Sequence, residues 1–393
     1  MTSPLILREG DTPQLVQLPR AVADALAGAG VVQLTRTDRD DWWLATPGTQ
    51  VGVVSVGGLQ VVIEPKVDLN RLVFLLGYAR RPDFWRDDRV VLDDDVDLPH
   101  ALAEAFVRLA RIALGQGLLK GYVTVDESSP VLRGRVREAD QIRRRWGRNV
   151  PLEVRYDEYT VDIAENQLLL AAVGALLRMP VGAHLRSRLQ HLRLQLADVT
   201  APPRGSALPT WTPSRLNARY VPALQIAELI LAGRSFDQRS GDLMVSGYLL
   251  NMATLFEDFV TTALSEAMRR FGGVSLTQFR TYLDEGRLVP IRPDFVWSVA
   301  GRPRLVLDAK YKAEKPSGFP QADLYQMLAY CTVLGLPAGH LVYAKGFEDE
   351  RTHVVVGSGV RVVAHTLDLE ESPDELLAAV GSLAAEVVRR DDR

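Results

Sequence analysis

The sequence predicts a multidomain chain of mixed α+β and α/β class: a β-rich start, a mainly helical middle and a C-terminal α/β module. Three observations carry this. Short β-branched and aromatic runs at residues 31–34 (VVQL), 42–44 (WWL), 51–54 (VGVV) and 59–63 (LQVVI) are separated by Asp, Gly and Pro turn signals. From Leu98 the apolar spacing turns helical. Past Leu288, gapless apolar runs typical of strands buried on both faces alternate with helical spacing. With a linker-like stretch at 201–213 and a loop reaching Gly247, these shifts divide the chain into 1–97, 98–245 and 246–393.

Composition bounds what the chain can be. At 393 residues it holds two or three domains, and 47% hydrophobic with 24% charged residues is ordinary globular usage. The net charge of −3 gives no overall cationic footprint, so any nucleic-acid surface must be a local patch. The single cysteine, Cys331, excludes an intrachain disulfide and leaves no cysteine zinc site. No run is long and apolar enough to span a membrane, and MTSPLILREGD lacks a basic-then-apolar leader, so a cytoplasmic protein is expected.

In the first segment a short helix at 21–27 starts after Pro19 and stops at Gly28. Asp68 is placed to cap a helix carrying Leu72, Val73, Leu75 and Leu76. The acidic string of Asp93, Asp94, Asp95 and Asp97 reads as a solvated loop.

The middle opens with an amphipathic helix, 101–114, ended by Gly115. A basic block follows. Arg133, Arg135 and Arg137 alternate and would share one face of a strand; Arg143, Arg144, Arg145 and Arg148 surround Trp146. Such a cluster can grip phosphates or an acidic partner, or form a solvated face balanced by Glu138 and Asp140. Helices are expected at 164–177 and 184–196, with His184 and His191 on the surface of the second. Residues 201–213 (APPRGSALPTWTP) read as a linker, and a helix at 223–232 leads into a loop reaching Gly247.

The chemistry concentrates between Leu288 and Tyr330. Asp294 follows Pro293; Asp308 and Lys310 project to the same side of the next strand, with Ala309 and Tyr311 on the other. Gly301 supplies a turn that folds the two strands into a hairpin. Two carboxylates and one lysine at one end suit phosphodiester hydrolysis: Mg²⁺ takes oxygen ligands, and a lysine beside the attacking water can orient it, accept its proton as the neutral amine, or stabilise developing charge as the ammonium. A buried Asp-x-Lys is also a common structural ion pair. Gln326 and Tyr330, four apart, share a face of the following helix. Upstream, residues 248–271 read as one amphipathic helix with Glu257 beside its apolar stripe. Three strands follow the Gln326 helix, and Ser372 with Glu375 forms a capping box for the last helix.

The order P-D, D-x-K and Q-x-x-x-Y resembles the PD-(D/E)xK nucleases, especially their RecB-like branch, in which the preceding helix often adds an acidic ligand at the place of Glu257. Most of the chain resembles McrC, the nuclease subunit of McrBC methylcytosine-dependent restriction systems. The resemblance rests on IEPKVDLNRLVFLLGYA, GYVTVDESSPVLRGRV, YDEYTVDIAENQLLL, LFEDFV and PDF with LDAKYK and QMLAY. It implies a catalytic set of Asp294, Asp308, Lys310, Glu257, Gln326 and Tyr330. Mg²⁺ would sit on Asp294, Asp308 and Glu257, with Mn²⁺ able to substitute. It also implies an N-terminal part docking on a McrB-like AAA+ GTPase ring, with double-stranded DNA carrying modified cytosine as substrate. Nucleotide binding belongs to the partner, and this chain holds no G-x-x-x-x-G-K-[ST] run. A self-sufficient nuclease and a non-cutting adaptor with a vestigial nuclease fold are the alternatives.

Overall fold

The computed structural model describes residues 4–80, 82, 98–146, 148, 150–179, 181–203, 206–232, 234–240, 243–313, 321–345 and 351–391. The acidic string at 93–97 lies outside them. The chain divides into two compact units: Met1–Asp97 with Arg239–Val245 and Leu249–Arg393, and Leu98–Gln238 with Ser246–Tyr248. Residues 1–97 thus share a unit with the C-terminal module, where the sequence reading set them apart.

The first unit begins with β1 (Leu5–Arg8), β2 (Gln14–Gln17), α1 (Arg20–Gly28), β3 (Gln33–Arg36), β4 (Trp42–Thr46), β5 (Gln50–Val56), β6 (Leu59–Glu64) and α2 (Leu69–Arg80). Strands β3 to β6 and both helices lie close to where their patterns put them. β1 and β2, four residues each, are too short to stand out in the sequence. β2-β4-β3 form a small antiparallel sheet, while β1 runs parallel to β6, itself antiparallel to β5. Asp68 caps α2 as expected, accepting from the Arg71 N–H at 2.8 Å.

The second unit carries α3 (Leu98–Leu114), β7 (Gly121–Ser129), β8 (Arg135–Val136), α4 (Glu138–Arg145), β9 (Leu152–Thr160), α5 (Ala164–Leu177), α6 (Ala183–Gln195) and α7 (Val221–Ala232). β7 pairs with β9 over nine residues, and the sheet order is β7-β9-β8. The expected strand face of Arg133, Arg135 and Arg137 does not form. Gly134 turns the chain at φ 64°, and a Cβ there would stand 2.3 Å from the Arg155 carbonyl, so only Arg135 and Val136 are in strand.

The expected loop before Gly247 is instead a pair of strands, β10 (Arg234–Ser240) and β11 (Leu243–Asn251); β11 follows β5 in the sheet order β1-β6-β5-β11-β10. The helix expected at 248–271 is therefore shorter. Leu249 and Leu250 are buried in strand, and α8 (Met252–Met268) starts where the Asn251 side chain accepts from the Ala253 and Thr254 N–H groups at 3.0 and 3.3 Å. An apolar run fits a buried strand as well as a helix face; the asparagine cap decides between them.

The remaining elements of the first unit are β12 (Val274–Thr277), β13 (Thr281–Tyr282), β14 (Pro290–Ile291), β15 (Phe295–Val299), β16 (Arg302–Ala313), α9 (Gln321–Leu334), β17 (Ala338–Lys345), β18 (Arg351–Val354), β19 (Arg361–Thr366) and α10 (Pro373–Asp391). A six-stranded mixed sheet runs β12-β15-β16-β17-β19-β18, with β16, β17 and β19 parallel. β15 and β16 are the expected hairpin, closed by Ala300 and Gly301 at φ 50° and 75°. Helix α9 crosses from β16 to β17, packing Met327, Tyr330 and Cys331 against Val296, Val306, Leu341 and Tyr343. It lies so close at Gly339 that a Cβ would meet the Met327 sulfur at 2.3 Å. The Ser372–Glu375 capping box forms at the start of α10.

Candidate active site

The hairpin register puts Phe295 opposite Leu307, so Asp294 lies at the level of Asp308. Both carboxylates are buried, at 8% and 2% exposure, and a backbone bond fixes the first: Ala309 N–H donates to Asp294 Oδ2 at 2.9 Å. Alternation along β16 brings Asp308 and Lys310 to the side facing α9. Lys310 Nζ forms an ion pair with Asp308 and donates to Gln326 Oε1 at 2.8 Å. Gln326 Nε2 then donates to the Tyr330 hydroxyl at 2.7 Å, and that hydroxyl donates to the Arg292 carbonyl at 3.3 Å. The P-D, D-x-K and Q-x-x-x-Y elements are one hydrogen-bonded set.

Glu257, on the second turn of α8, reaches the same set through a residue the sequence did not flag. Gln278 Nε2 donates to Glu257 Oε1 and lies 3.3 Å from Asp294 Oδ1. Asp323, buried at the start of α9 and bonded by the Tyr343 hydroxyl at 2.9 Å, was also missed. Neither sits in a pattern with a spacing signature. Gln278 stands in an unremarked stretch, LTQFRT, and Asp323 reads as an ordinary first-turn acid.

The electrostatics follow from packing three acids beside one base. Burial pushes the Asp308 carboxyl up to about 7, reinforced by Asp294. Burial likewise raises Asp294 to about 6, with Glu257 adding to the shift. Glu257 is raised by partial burial and by the neighbouring acids Asp258 and Asp308. For Lys310, burial works to lower the pKa, but Asp308 outweighs it and the net shift is upward. Lys310 therefore stays charged at neutral pH. The site is an excess of negative charge in a poorly solvated place, the condition a hard divalent cation relieves.

Among the described residues no three His, Cys, Asp or Glu side chains already form a ligating cluster. The donor set nevertheless fits Mg²⁺, which uses one or two carboxylates and takes its other oxygens from water and phosphate.

The arginines of the basic block stand in the second unit. Arg143, Arg144 and Arg145 occupy the last turn of α4. They are largely paired: Arg143 with Asp140 at 2.9 Å, and Arg144 and Arg145 with the buried Glu153 at 3.6 and 3.4 Å. Arg137 pairs with Asp126 and Asp140. Glu153 and Asp126, on β9 and β7, balance this charge alongside Asp140, in place of the expected Glu138. Arg133, Arg135 and Arg148 are exposed, as is Trp146 at 83%. His184 and His191 are exposed on α6.

The model of the McrBC 5-methylcytosine restriction system component family matches residues 45–344, which contain every site residue above. The chain belongs to that family. Its structure is similar to a chain of a Thermococcus gammatolerans assembly of McrB AAA+ hexamers with bound McrC, at 17% identity and TM-score 0.55, covering 98% of this chain and 100% of that one. A second solved structure, the McrBC complex of the same organism, aligns at 20% identity and TM-score 0.37 over 68% of this chain and 88% of that one. No curated protein matches. The mixed α/β fold with several sheets is thus that of a McrBC-system protein. Among the described residues no helix is long and apolar enough to cross a membrane.

Proposed function

We propose that the chain is the McrC-type nuclease subunit of a modification-dependent restriction complex. It docks on a McrB-like AAA+ GTPase ring, stimulates its hydrolysis, and cuts double-stranded DNA carrying modified cytosine. The observation that carries this reading is the convergence of Glu257, Asp294 and Asp308 with the Lys310–Gln326–Tyr330 chain on one end of one sheet.

Asp294 and Asp308, with Glu257, would hold Mg²⁺, or Mn²⁺ in its place. When bound, the ion would polarise the scissile phosphate and acidify a water. The residues themselves do the rest. The backbone N–H of Ala309 keeps one Asp294 oxygen turned into the β-hairpin. Gln326 holds Lys310 beside Asp308, and because Lys310 stays protonated it serves as a fixed positive charge for the attacking water and the developing phosphorane charge, not as the base. Tyr330 orients Gln326 and so acts through it.

The partner assignment is supported by the family and by the fold likeness over nearly the whole chain. The test is cleavage of cytosine-methylated DNA by the purified chain with its partner ring, GTP and Mg²⁺. Asp308→Asn should lose cleavage by on the order of 10²-fold or more while still stimulating the GTPase. Full cleavage by that variant would refute the assignment of the site.

A further inference from the structure

Gln278 follows β12 with its backbone in the left-handed region, at φ 52°. Non-glycine residues hold that conformation only where their surroundings impose it, and such outliers gather at functional sites. The imposing contacts are visible. Gln278 N–H donates to the Asp294 carbonyl at 2.8 Å, and Phe279 N–H to the Pro293 carbonyl at 3.0 Å. The backbone is thereby tied to the P-D dipeptide itself.

From that fixed base the side chain reaches both acids. A primary amide carries two hydrogens on one nitrogen. Here that nitrogen donates to Glu257 Oε1 and faces Asp294 Oδ1 at 3.3 Å. The two carboxylates come from separate elements, α8 and the head of β15. One amide nitrogen therefore bridges the two carboxylates.

We propose that Gln278 is a positioning residue: its amide clamps Glu257 and Asp294 at one spacing and thereby selects Mg²⁺ over Ca²⁺. The inference rests on the nuclease reading of the site. Mg²⁺ demands near-ideal octahedral geometry at short distance, whereas Ca²⁺ accepts more oxygens at longer and looser distances. A clamp on the spacing favours the first cation, and a slack pair of carboxylates tolerates the second. Hydrogen bonds to ligating groups set ligand orientation and typically carry tenfold or greater effects on affinity.

The test is a calorimetric titration of Mg²⁺ and of Ca²⁺ into the full-length wild type, Gln278→Leu, Gln278→Asn and Asp308→Asn. Circular dichroism and metal-free melting confirm the fold of each variant. The expected result is a loss of Mg²⁺ affinity of about tenfold in Gln278→Leu with Ca²⁺ affinity nearly unchanged. Gln278→Asn keeps the amide but is one methylene shorter, so its nitrogen no longer reaches both carboxylates. It should lose discrimination in the same way, and it keeps the test available if the leucine variant misfolds. An equal fall in both affinities would overturn the clamp and make Gln278 a direct ligand through its carbonyl oxygen. Unchanged selectivity would overturn it as well. If neither cation binds wild type, or if Asp308→Asn binds as wild type does, the metal site itself is refuted and the clamp with it.

Discussion

The Tyr311 hydroxyl donates to the buried Glu9 carboxylate at 3.0 Å, joining residues 302 apart in sequence. Tyr311 lies on the strand that carries Asp308 and Lys310 but projects to the opposite side, where it packs against Phe256 of α8. Strand β16 therefore bears the site on one face and its attachment to the start of the chain on the other. Glu9, just past β1, also accepts from the Lys66 N–H at 3.5 Å, and burial holds its pKa above the usual carboxylate range.

Removing the hydroxyl should destabilise the first unit. Tyr311→Phe deprives a 2%-exposed carboxylate of its side-chain donor, a loss on the order of 1–3 kcal/mol. The midpoint of chemical denaturation should fall accordingly, and Glu9→Gln, which removes the buried charge as well, should cost less. Equal midpoints for Tyr311→Phe and wild type would show that the bond contributes nothing.

The same attachment predicts that residues 246–393 will not fold alone. Phe259 of α8 makes edge contacts with Phe74 and Tyr78 of α2, at 5.9 and 5.6 Å between ring centroids, and Thr262 donates to the Ala79 carbonyl at 3.2 Å. Deleting residues 1–97 would expose that aromatic cluster on the helix that positions Glu257. The fragment should be aggregated or molten, judged by dye binding and by poor amide dispersion in NMR spectra. A sharp, cooperative unfolding transition in the isolated fragment would contradict this.

What the sequence disclosed, and what it hid, follows from the range of the interactions. Asp294, Asp308, Lys310, Gln326 and Tyr330 were legible because strand alternation and helical spacing fix their faces locally. The hairpin was legible because Gly301, which tolerates positive φ, marks its turn, although the turn falls on Ala300 and Gly301 and not on Gly301 to Pro303 as read from the sequence. Gln278 was not, since its role depends on an unusual backbone conformation and on contacts with Glu257, 21 residues away. The union of residues 1–97 with the C-terminal module was hidden for the same reason. It is made by Glu9, Phe74 and Tyr78, which in sequence look like ordinary core and surface residues. The arginine strand failed on one glycine, Gly134, whose turn no alternation pattern records.

Stability in the absence of metal should depend on pH in a definite direction. Asp294 and Asp308 are raised by burial to about 6 and about 7. Groups with raised native pKa values bind protons more tightly in the folded chain. Their stabilising contribution is complete below the unfolded carboxylate pKa of about 4 and is lost as pH climbs through about 6 to 7. Asp308→Asn cannot ionise, so it should gain stability relative to wild type between about pH 5 and pH 8. Saturating Mg²⁺ should raise the wild-type melting temperature at the higher pH and not that of the variant. A pH-independent difference between the two proteins would reject this account of the site.

The Gln326–Tyr330 pair should matter through Lys310 alone. Gln326→Leu removes the acceptor that steadies the ammonium at 2.8 Å, and Tyr330→Phe removes the hydroxyl that orients Gln326. Misplacing a charged group by about 1 Å can cost up to about 10²-fold in rate. Gln326→Leu should therefore depress cleavage by about that much, and Tyr330→Phe by less, with DNA affinity unchanged in both. Weakened DNA binding at a normal cleavage rate would make Gln326 a substrate contact instead.

The basic block should separate into structural and binding arginines. Arg145 pairs with Glu153, whose carboxyl the Ser128 hydroxyl and Arg145 hold below the usual range, and Glu153 is 1% exposed. Arg145→Ala removes one of its partners and should lower the melting temperature. Arg133 and Arg148 are exposed, so Arg133→Glu with Arg148→Glu should leave melting unchanged. The double variant then reports on what the surface meets. If it faces the partner ring, GTPase stimulation falls without DNA present, and high salt in the wild type should mimic the loss. If it faces DNA, stimulation persists while the slope of DNA affinity against salt becomes shallower by about one unit for each phosphate contact removed. Exposed Trp146, Val131 and Leu132 lie in the same stretch, and an apolar surface around isolated charges favours a protein over a phosphate backbone. Loss of stimulation is the expected result, and intact stimulation together with the shallower salt slope would reverse the assignment.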